Sequence, residues 1–249
     1  MISVLSRYNR RITQLNFHII SSDVRRENIS GHYVQMRILS ELSHLVFPTR
    51  CYGCNTLGLS ICTMCRREWI PHYYKTKASQ LSVHSALIYT PTASKIILAA
   101  KENGLQGADD LLIAAIVHVL NKARLDKGYF TLVPVPSSNQ AQRGRGRSFI
   151  VDLTKTISRQ TGIAVNDCLQ VSRRVSDQSG LTRVQRISNM HGAFSLKPGS
   201  ILRGDAIVID DVVTTGATLQ EAARALNSQG FHAFGSVCAV TACVTQPLR

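Results

Sequence analysis

The chain has 249 residues, of which 44% are hydrophobic and 18% charged, a composition typical of a folded protein rather than a disordered one. Lys and Arg exceed Asp and Glu by 29 to 15, and the net charge of +14 favours a phosphate-bearing partner: a nucleotide, a nucleic acid or an acidic lipid surface. The most apolar stretch, residues 111–120, is about half the length of a membrane span, and the N-terminus lacks the pattern of a signal peptide. We therefore expect a cytoplasmic protein without membrane insertion or disulfide bonds.

In chain order, residues 1–35 are basic and show no sustained hydrophobic period, which indicates an unstructured leader or a start codon placed too far upstream. Residues 36–75 are expected to hold a helix, ended by Pro48, and a cysteine module. Residues 76–249 alternate apolar strand-like and helix-like segments, which predicts an α/β domain with a mainly parallel sheet buried on both faces. Strands are predicted at residues 86–89, 131–135, 206–209 and 237–240, and helices at 92–101, 109–123, 149–159 and 218–227.

Four cysteines form two Cys-x-x-Cys pairs, Cys51 with Cys54 and Cys62 with Cys65. Each pair places two thiolates close enough to share one tetrahedral ion, and four thiolates complete the coordination of Zn²⁺. The pattern therefore predicts a structural zinc site with no open position for catalysis. A redox dithiol and an iron–sulfur cluster are the alternatives.

The most informative segment is residues 206–218, in which an apolar strand is followed by Asp210 and Asp211, two apolar residues, and Thr-Thr-Gly-Ala-Thr before a helix. Free backbone N–H groups at a helix start bind phosphate, and Gly216 allows the backbone to approach it closely. Adjacent carboxylates would repel that phosphate, so we expect them to accept hydrogen bonds from sugar hydroxyls or to bind a divalent ion. This order of groups predicts a ribose 5-phosphate ligand, and the alternative is an ordinary strand, turn and capped helix.

This segment resembles, at every position, the signature for phosphoribosyl pyrophosphate (PRPP) in type I phosphoribosyltransferases. From about Leu39 onward the chain is also similar to the ComF-like competence family, in which a four-cysteine zinc module precedes a phosphoribosyltransferase domain. The other matching features are Val133-Pro134-Val135-Pro136, Arg145-Gly146 and residues 174–194. The family often continues the Arg-Gly pair with Phe-Asn-Gln, whereas Arg147-Ser148-Phe149 follows here, so no contact of that Asn or Gln is carried over.

The resemblance implies a parallel sheet of the type I phosphoribosyltransferase kind in residues 76–249. It implies that the protein binds PRPP with Mg²⁺, transfers the ribosyl group to an acceptor that the sequence does not identify, and takes part in competence and DNA uptake. Asp210 and Asp211 would bind the ribose hydroxyls and act in catalysis, and Thr214–Thr218 would bind the 5-phosphate. The implied PRPP site comprises Asp210, Asp211, Val212, Val213, Thr214, Thr215, Gly216, Ala217 and Thr218.

Residues 143–186 contain nine Lys or Arg and three Asp or Glu, which makes this segment strongly basic. The candidates for binding pyrophosphate, in a loop or in a lid, are Arg143, Arg145, Arg174, Arg183 and Arg186. A solvated basic face is the alternative for these arginines. The alternative function is a non-enzymatic accessory protein that uses the same fold to sense nucleotides or to associate with single-stranded DNA and competence proteins.

Overall fold

The computed structural model describes residues 49–126, 128–173, 180 and 182–242. These residues belong to one compact unit, Thr49–Arg249. The predicted leader lies outside the described residues, and so do the helix expected before Pro48 and the candidate Arg174. The division between a cysteine module and a larger domain at residue 75 therefore stays a prediction.

Helices and strands alternate through most of the described chain. The helices are α1 (Thr63–Glu68), α2 (Pro91–Lys101), α3 (Gln106–Lys122), α4 (Asn139–Arg145), α5 (Phe149–Thr161), α6 (Arg183–Met190) and α7 (Ala217–Asn227). The strands are β1 (Tyr74–Ala78), β2 (Leu81–Ile88), β3 (Phe130–Pro134), β4 (Ala164–Val165), β5 (Leu169–Val171), β6 (Phe194–Leu196), β7 (Asp205–Val213) and β8 (Ala233–Thr241). Among the described helices, none is both long and apolar enough to cross a membrane.

The main sheet has six strands in the order β1-β2-β8-β7-β3-β4. Its pairs are parallel except for the antiparallel hairpin of β1 and β2. One hydrophobic core contains the inner faces of α2, α3 and α5, and a second core contains that of α7. Because both faces of β7 and β8 are covered, these strands are nearly continuous apolar runs. The predicted α/β fold with a mainly parallel sheet, preceded by four clustered cysteines, is confirmed.

The structure differs from the sequence prediction at the end of β7, which continues to Val213 instead of stopping before the two acids. Asp210 pairs with Cys238 of β8, and Val212 pairs with Val240. The sheet therefore satisfies the backbone groups of the acidic segment, although the apolar run that marks the strand has already ended. A second difference is α4, a short helix that carries Arg143 and Arg145, which were expected to bind pyrophosphate from a loop or a lid.

A small antiparallel pair, β5 with β6, lies beside α7 and was not predicted from the sequence. The backbone of Phe194 in β6 is fixed on both sides, because its N–H donates to Glu221 Oε1 at 3.0 Å and its carbonyl accepts from Arg224 Nη2 at 3.0 Å. Arg224 Nε also lies 2.8 Å from Glu221 Oε2. These contacts attach the small pair to the helix that begins at the predicted phosphate loop.

Strand β2 carries a buried histidine, His84, whose exposed fraction is 5%. Its Nδ1 lies 2.7 Å from the Tyr73 hydroxyl. Burial, with a smaller effect from the charge of Lys75, lowers the pKa of His84 to about 4 from its ordinary 6.5. The folded protein therefore holds the neutral imidazole in a pH range where the unfolded chain takes up a proton.

We expect His84 to make the protein less stable as the pH falls from about 6.5 toward 4, because only the unfolded state binds this proton in that window. Between pH 7 and pH 5 the loss attributable to His84 is about 2 kcal/mol in the free energy of unfolding. Chemical denaturation of the wild type and of His84→Gln at both pH values measures it. The variant should lose less stability than the wild type, and equal losses would contradict the assignment.

Candidate functional site

The candidate site is a cleft of about 860 Å³ beyond the carboxyl ends of β2, β3 and β7. This edge is where open α/β sheets bind ligands. The polar residues that line it come from separate segments of the chain and are Tyr89, Ser94, Lys101, Glu102, Ser137, Ser138, Arg145, Asp210, Asp211 and Thr218.

Asp210 and Asp211 line the cleft from the last part of β7 and are 8% and 4% exposed. The N–H of Asp211 donates to Asp210 Oδ1 at 2.9 Å, and the N–H of Val212 donates to Asp211 Oδ1 at 3.0 Å. Burial, together with the charge of Asp211, raises the pKa of Asp210 well above its usual range. The two acids are thus fixed by the backbone, and burial disfavours the charged form of Asp210.

Lys101 is the functional candidate that sequence reasoning missed. It is in the last turn of α2, and its Nζ lies 2.8 Å from Asp211 Oδ2. Burial disfavours its ammonium group, but the charges of Asp211 and Asp210 outweigh that effect and raise the pKa of Lys101. In the sequence, Lys101 is visible only as a lysine at the end of an apolar helix. That position does not indicate a partner 110 residues away.

The predicted phosphate loop follows β7 and ends at the start of α7. Gly216 precedes the helix with a φ of 77°, in the left-handed region that favours glycine. The Ala217 N–H donates to Thr215 Oγ1 at 3.4 Å, whereas Thr218 lines the cleft. Thr214 is exposed at the start of the loop. The loop therefore places a helix N-terminus next to the two acids, and its role with phosphate stays a prediction.

The arginine candidates occupy different parts of the structure. Arg145, at the end of α4, lines the cleft, and its Nε lies 3.1 Å from both carboxylate oxygens of Glu102. Arg143 is exposed on the same helix. Arg183 begins α6, and Arg186, on that helix, is half-buried. The structure thus brings Arg145 into the cleft with the acids, and the roles of Arg143 in a pyrophosphate loop and of Arg183 and Arg186 in a lid stay predictions.

Arg147, which follows the Arg145-Gly146 pair, makes packing contacts. Its guanidinium forms two bonds with the Asp109 carboxylate, of 2.5 and 2.9 Å, and donates to the Ala100 carbonyl. It also lies 5.0 Å from the centre of the Phe149 ring. Since these partners belong to α3, α2 and α5, Arg147 holds three helices together behind the cleft.

The four cysteines form one cluster in which all Sγ atoms lie within 4.8 Å of one another. The Cys62 N–H donates to Cys51 Sγ at 3.3 Å. Burial disfavours the Cys51 thiolate, but N–H groups of Cys62, Cys54 and Gly53 outweigh it and lower its pKa to about 6. Four close sulfurs with a stabilised thiolate among them match the donor set of structural zinc.

The cysteine cluster packs directly against the helices behind the cleft. Cys51, Cys65 and Trp69 share the hydrophobic core of α2 and α3, and Trp69 Nε1 donates to the Leu111 carbonyl at 3.3 Å. A Cβ atom at Gly53 would lie 2.7 Å from Cys65 Sγ and 2.8 Å from Thr92 Cγ2 in the first turn of α2. The absence of a side chain at this position therefore allows the cluster to contact α2.

Residues 146–246 match the family model described as the phosphoribosyl transferase domain. No curated protein matches the chain in sequence. Among solved structures, the chain is similar to orotate phosphoribosyltransferase from Aeropyrum pernix, with 12% identity, a TM-score of 0.37, and coverage of 69% of this chain and 74% of that chain. It is also similar to an adenine phosphoribosyltransferase, with 12% identity, a TM-score of 0.39, and coverage of 72% and 89%.

The chain is thus an α/β protein with a mainly parallel sheet preceded by a four-cysteine cluster, and residues 146–246 of it are similar to the phosphoribosyl transferase domain. The matched segment includes β7, the loop after it and α7, and so contains both acids of the cleft. It supports phosphoribosyl transfer as the general chemistry of the domain. With scores this low, the two solved structures carry no argument about the substrate.

Proposed function

We propose that this protein is a phosphoribosyltransferase that binds PRPP together with Mg²⁺ and transfers the ribosyl group to an acceptor. The observation that supports this most is the meeting of Asp210, Asp211 and Arg145 in one cleft, beside the loop that begins α7. The cleft thus offers oxygen acceptors for a sugar, a guanidinium for an anion, and a helix N-terminus for a second anion.

In this proposal the carboxyl oxygens of Asp210 and Asp211 hold the ribose hydroxyls, and the backbone N–H groups of residues 214–218 hold the 5-phosphate. The Arg145 guanidinium binds the departing pyrophosphate, for which it must exchange its contact with Glu102. Mg²⁺, when bound, neutralises charge on the leaving group. Its ligands would be oxygens of PRPP itself, since Glu102 and Asp211 are ion-paired and burial disfavours the charged form of Asp210.

We also propose that Cys51, Cys54, Cys62 and Cys65 bind one structural Zn²⁺. Thiolates this close repel one another, and a tetrahedral dication cancels that repulsion. Since four sulfurs fill the coordination sphere, this ion would support the fold and take no part in the reaction.

Replacing Asp211 by Asn tests the proposed function most directly. The wild type should bind PRPP with Mg²⁺, and Asp211→Asn should weaken binding by tenfold or more, since a hydrogen bond to a charged group contributes about 1.5–3 kcal/mol. Calorimetric titration measures both, with Asp167→Asn as a control that alters an ion pair with Lys197. Equal affinities of the two variants, or no binding by the wild type, would exclude the proposal.

The link to competence and DNA uptake rests on the resemblance, and it leads to the alternative of a nucleotide-sensing or single-stranded-DNA-associated accessory protein. The net charge of +14 favours a polyanionic partner. Such a protein should bind single-stranded DNA with an affinity that falls steeply with salt, and Asp211→Asn should leave that affinity unchanged. Measuring DNA binding at two salt concentrations separates the two functions.

The cytoplasmic location also stays a prediction.

A further inference from the structure

We propose that Lys101 is a positioning residue that reserves the acid pair of the cleft for sugar hydroxyls, because its ammonium group occupies the place where a divalent cation would bind. The inference rests on the proposed function for the identity of the sugar. It leads to a property of the protein without substrate: Asp210 and Asp211 hold no divalent ion, and Mg²⁺ enters the cleft only on the pyrophosphate.

The first argument is the contact itself. The Lys101 ammonium is 2.8 Å from Asp211 Oδ2, and both residues line the cleft. The Asp211 side chain is 6% exposed and that of Lys101 is 30% exposed, so the ammonium group contacts an oxygen of a carboxylate that is itself nearly buried. A metal ion approaching this oxygen of Asp211 would therefore be repelled by the positive charge beside it.

The second argument concerns the carboxyl oxygens. Asp211 Oδ2 accepts from Lys101, Asp211 Oδ1 accepts from the Val212 N–H, and Asp210 Oδ1 accepts from the Asp211 N–H. Mg²⁺ and Mn²⁺ bind oxygen ligands in a near-octahedral arrangement and usually take one or two carboxylates, whose oxygens must be open to the ion. A ribose hydroxyl requires one oxygen lone pair for its proton, and a carboxylate oxygen that already accepts one bond can still provide it. The present arrangement suits the hydroxyl and not the metal.

The third argument is that Lys101 is held by a well-anchored helix. Thr90 caps α2 by accepting the Ala93 N–H at 3.1 Å, and the inner face of the helix is buried in the core. The negative end of the helix dipole favours a cation in this last turn. The adjacent residue, Glu102, holds Arg145. The C-terminal end of α2 therefore supplies Lys101, which pairs with Asp211, and is followed by Glu102, which pairs with Arg145.

The test uses Mn²⁺ as the probe and the full-length, zinc-loaded protein without PRPP. Electron paramagnetic resonance measures free and bound Mn²⁺ for the wild type, Lys101→Met, Lys101→Arg, Asp211→Asn, and the double variant Lys101→Met with Asp211→Asn. We expect Lys101→Met to bind Mn²⁺ at least tenfold more tightly than the wild type. The Arg variant should behave as the wild type does, and the double variant should lose the gain.

Two results would overturn the inference. The first is a wild type whose Mn²⁺ affinity falls on Asp211→Asn, since its acid pair would then already bind a metal, and this comparison does not require Lys101→Met to fold. The second is a folded Lys101→Met without tighter Mn²⁺ binding. If the Mn²⁺ results are as expected but PRPP does not bind the wild type, the exclusion of metal stands and the proposed function fails.

Discussion

Removing the metal from the four-cysteine cluster is expected to unfold the segment around it and to lower the stability of the whole compact unit. Apparent binding free energies of structural zinc are about 10–16 kcal/mol in zinc-finger peptides, so its loss exceeds most effects of a single substitution. Cys65 and Trp69 lie in the core shared with α2 and α3. Without the ion, the four sulfurs, which lie within 4.8 Å of one another, lose the bonds that would hold this segment together.

Cys65→Ser and a strong chelator should have the same effect, which circular dichroism during thermal unfolding and a zinc assay on the same samples would measure. Cys168→Ala is the matched control, because this buried cysteine lies outside the cluster. It should keep one zinc per chain. If reduced, purified protein contained no bound zinc or iron, the proposal that the four cysteines bind a metal ion would be wrong.

A side chain at Gly216 is expected to damage both stability and ligand binding. At this position φ is +77°, and a Cβ atom would lie 2.5 Å from the Cβ of Ala78 in β1. The left-handed backbone costs about 1–2 kcal/mol for a residue other than Gly, and forcing a methyl group into packed surroundings costs about 1–3 kcal/mol more. Gly216→Ala should therefore unfold about 2–5 kcal/mol more easily and lose the proposed affinity for PRPP.

Gly230→Ala separates these two costs. Its φ is +80°, but nothing lies within 4 Å of the added Cβ, so it carries the backbone cost alone. Chemical denaturation should show a clearly smaller loss than for Gly216→Ala, and Ala78→Gly combined with Gly216→Ala should recover part of the difference. If Gly216→Ala and Gly230→Ala lost equal stability, the contact of the added Cβ atom with Ala78 in β1 would not contribute to the loss.

The central strands and helices could be predicted from the sequence because β7 and β8 are buried on both faces and their apolar runs are long. The strands β5 and β6 could not, since three residues are too few to show an alternating pattern. The end of β7 was placed too early for a related reason. Asp210 and Asp211 interrupt the apolar run, while the backbone pairing that extends the strand comes from β8.

The site was predicted where its chemistry is local in the chain and missed where it depends on tertiary contacts. The paired acids and Gly216 are consecutive features of one segment, so their order indicates the ligand. Neither Lys101 nor Arg147 carries a sequence signal for its partner. Their roles differ because one faces the cleft and the other faces Asp109 in α3, and only the packing of the helices determines which.

Helix α2 meets the cysteine cluster at Thr92 in its first turn and meets Asp211 through Lys101 in its last. Eleven helical residues form a stiff rod of about 16 Å. We therefore expect a displacement of its first turn by the cysteine cluster to shift Lys101 in its last turn. The coordination state of the cluster should thus be readable at the acid pair, although no zinc ligand lies there.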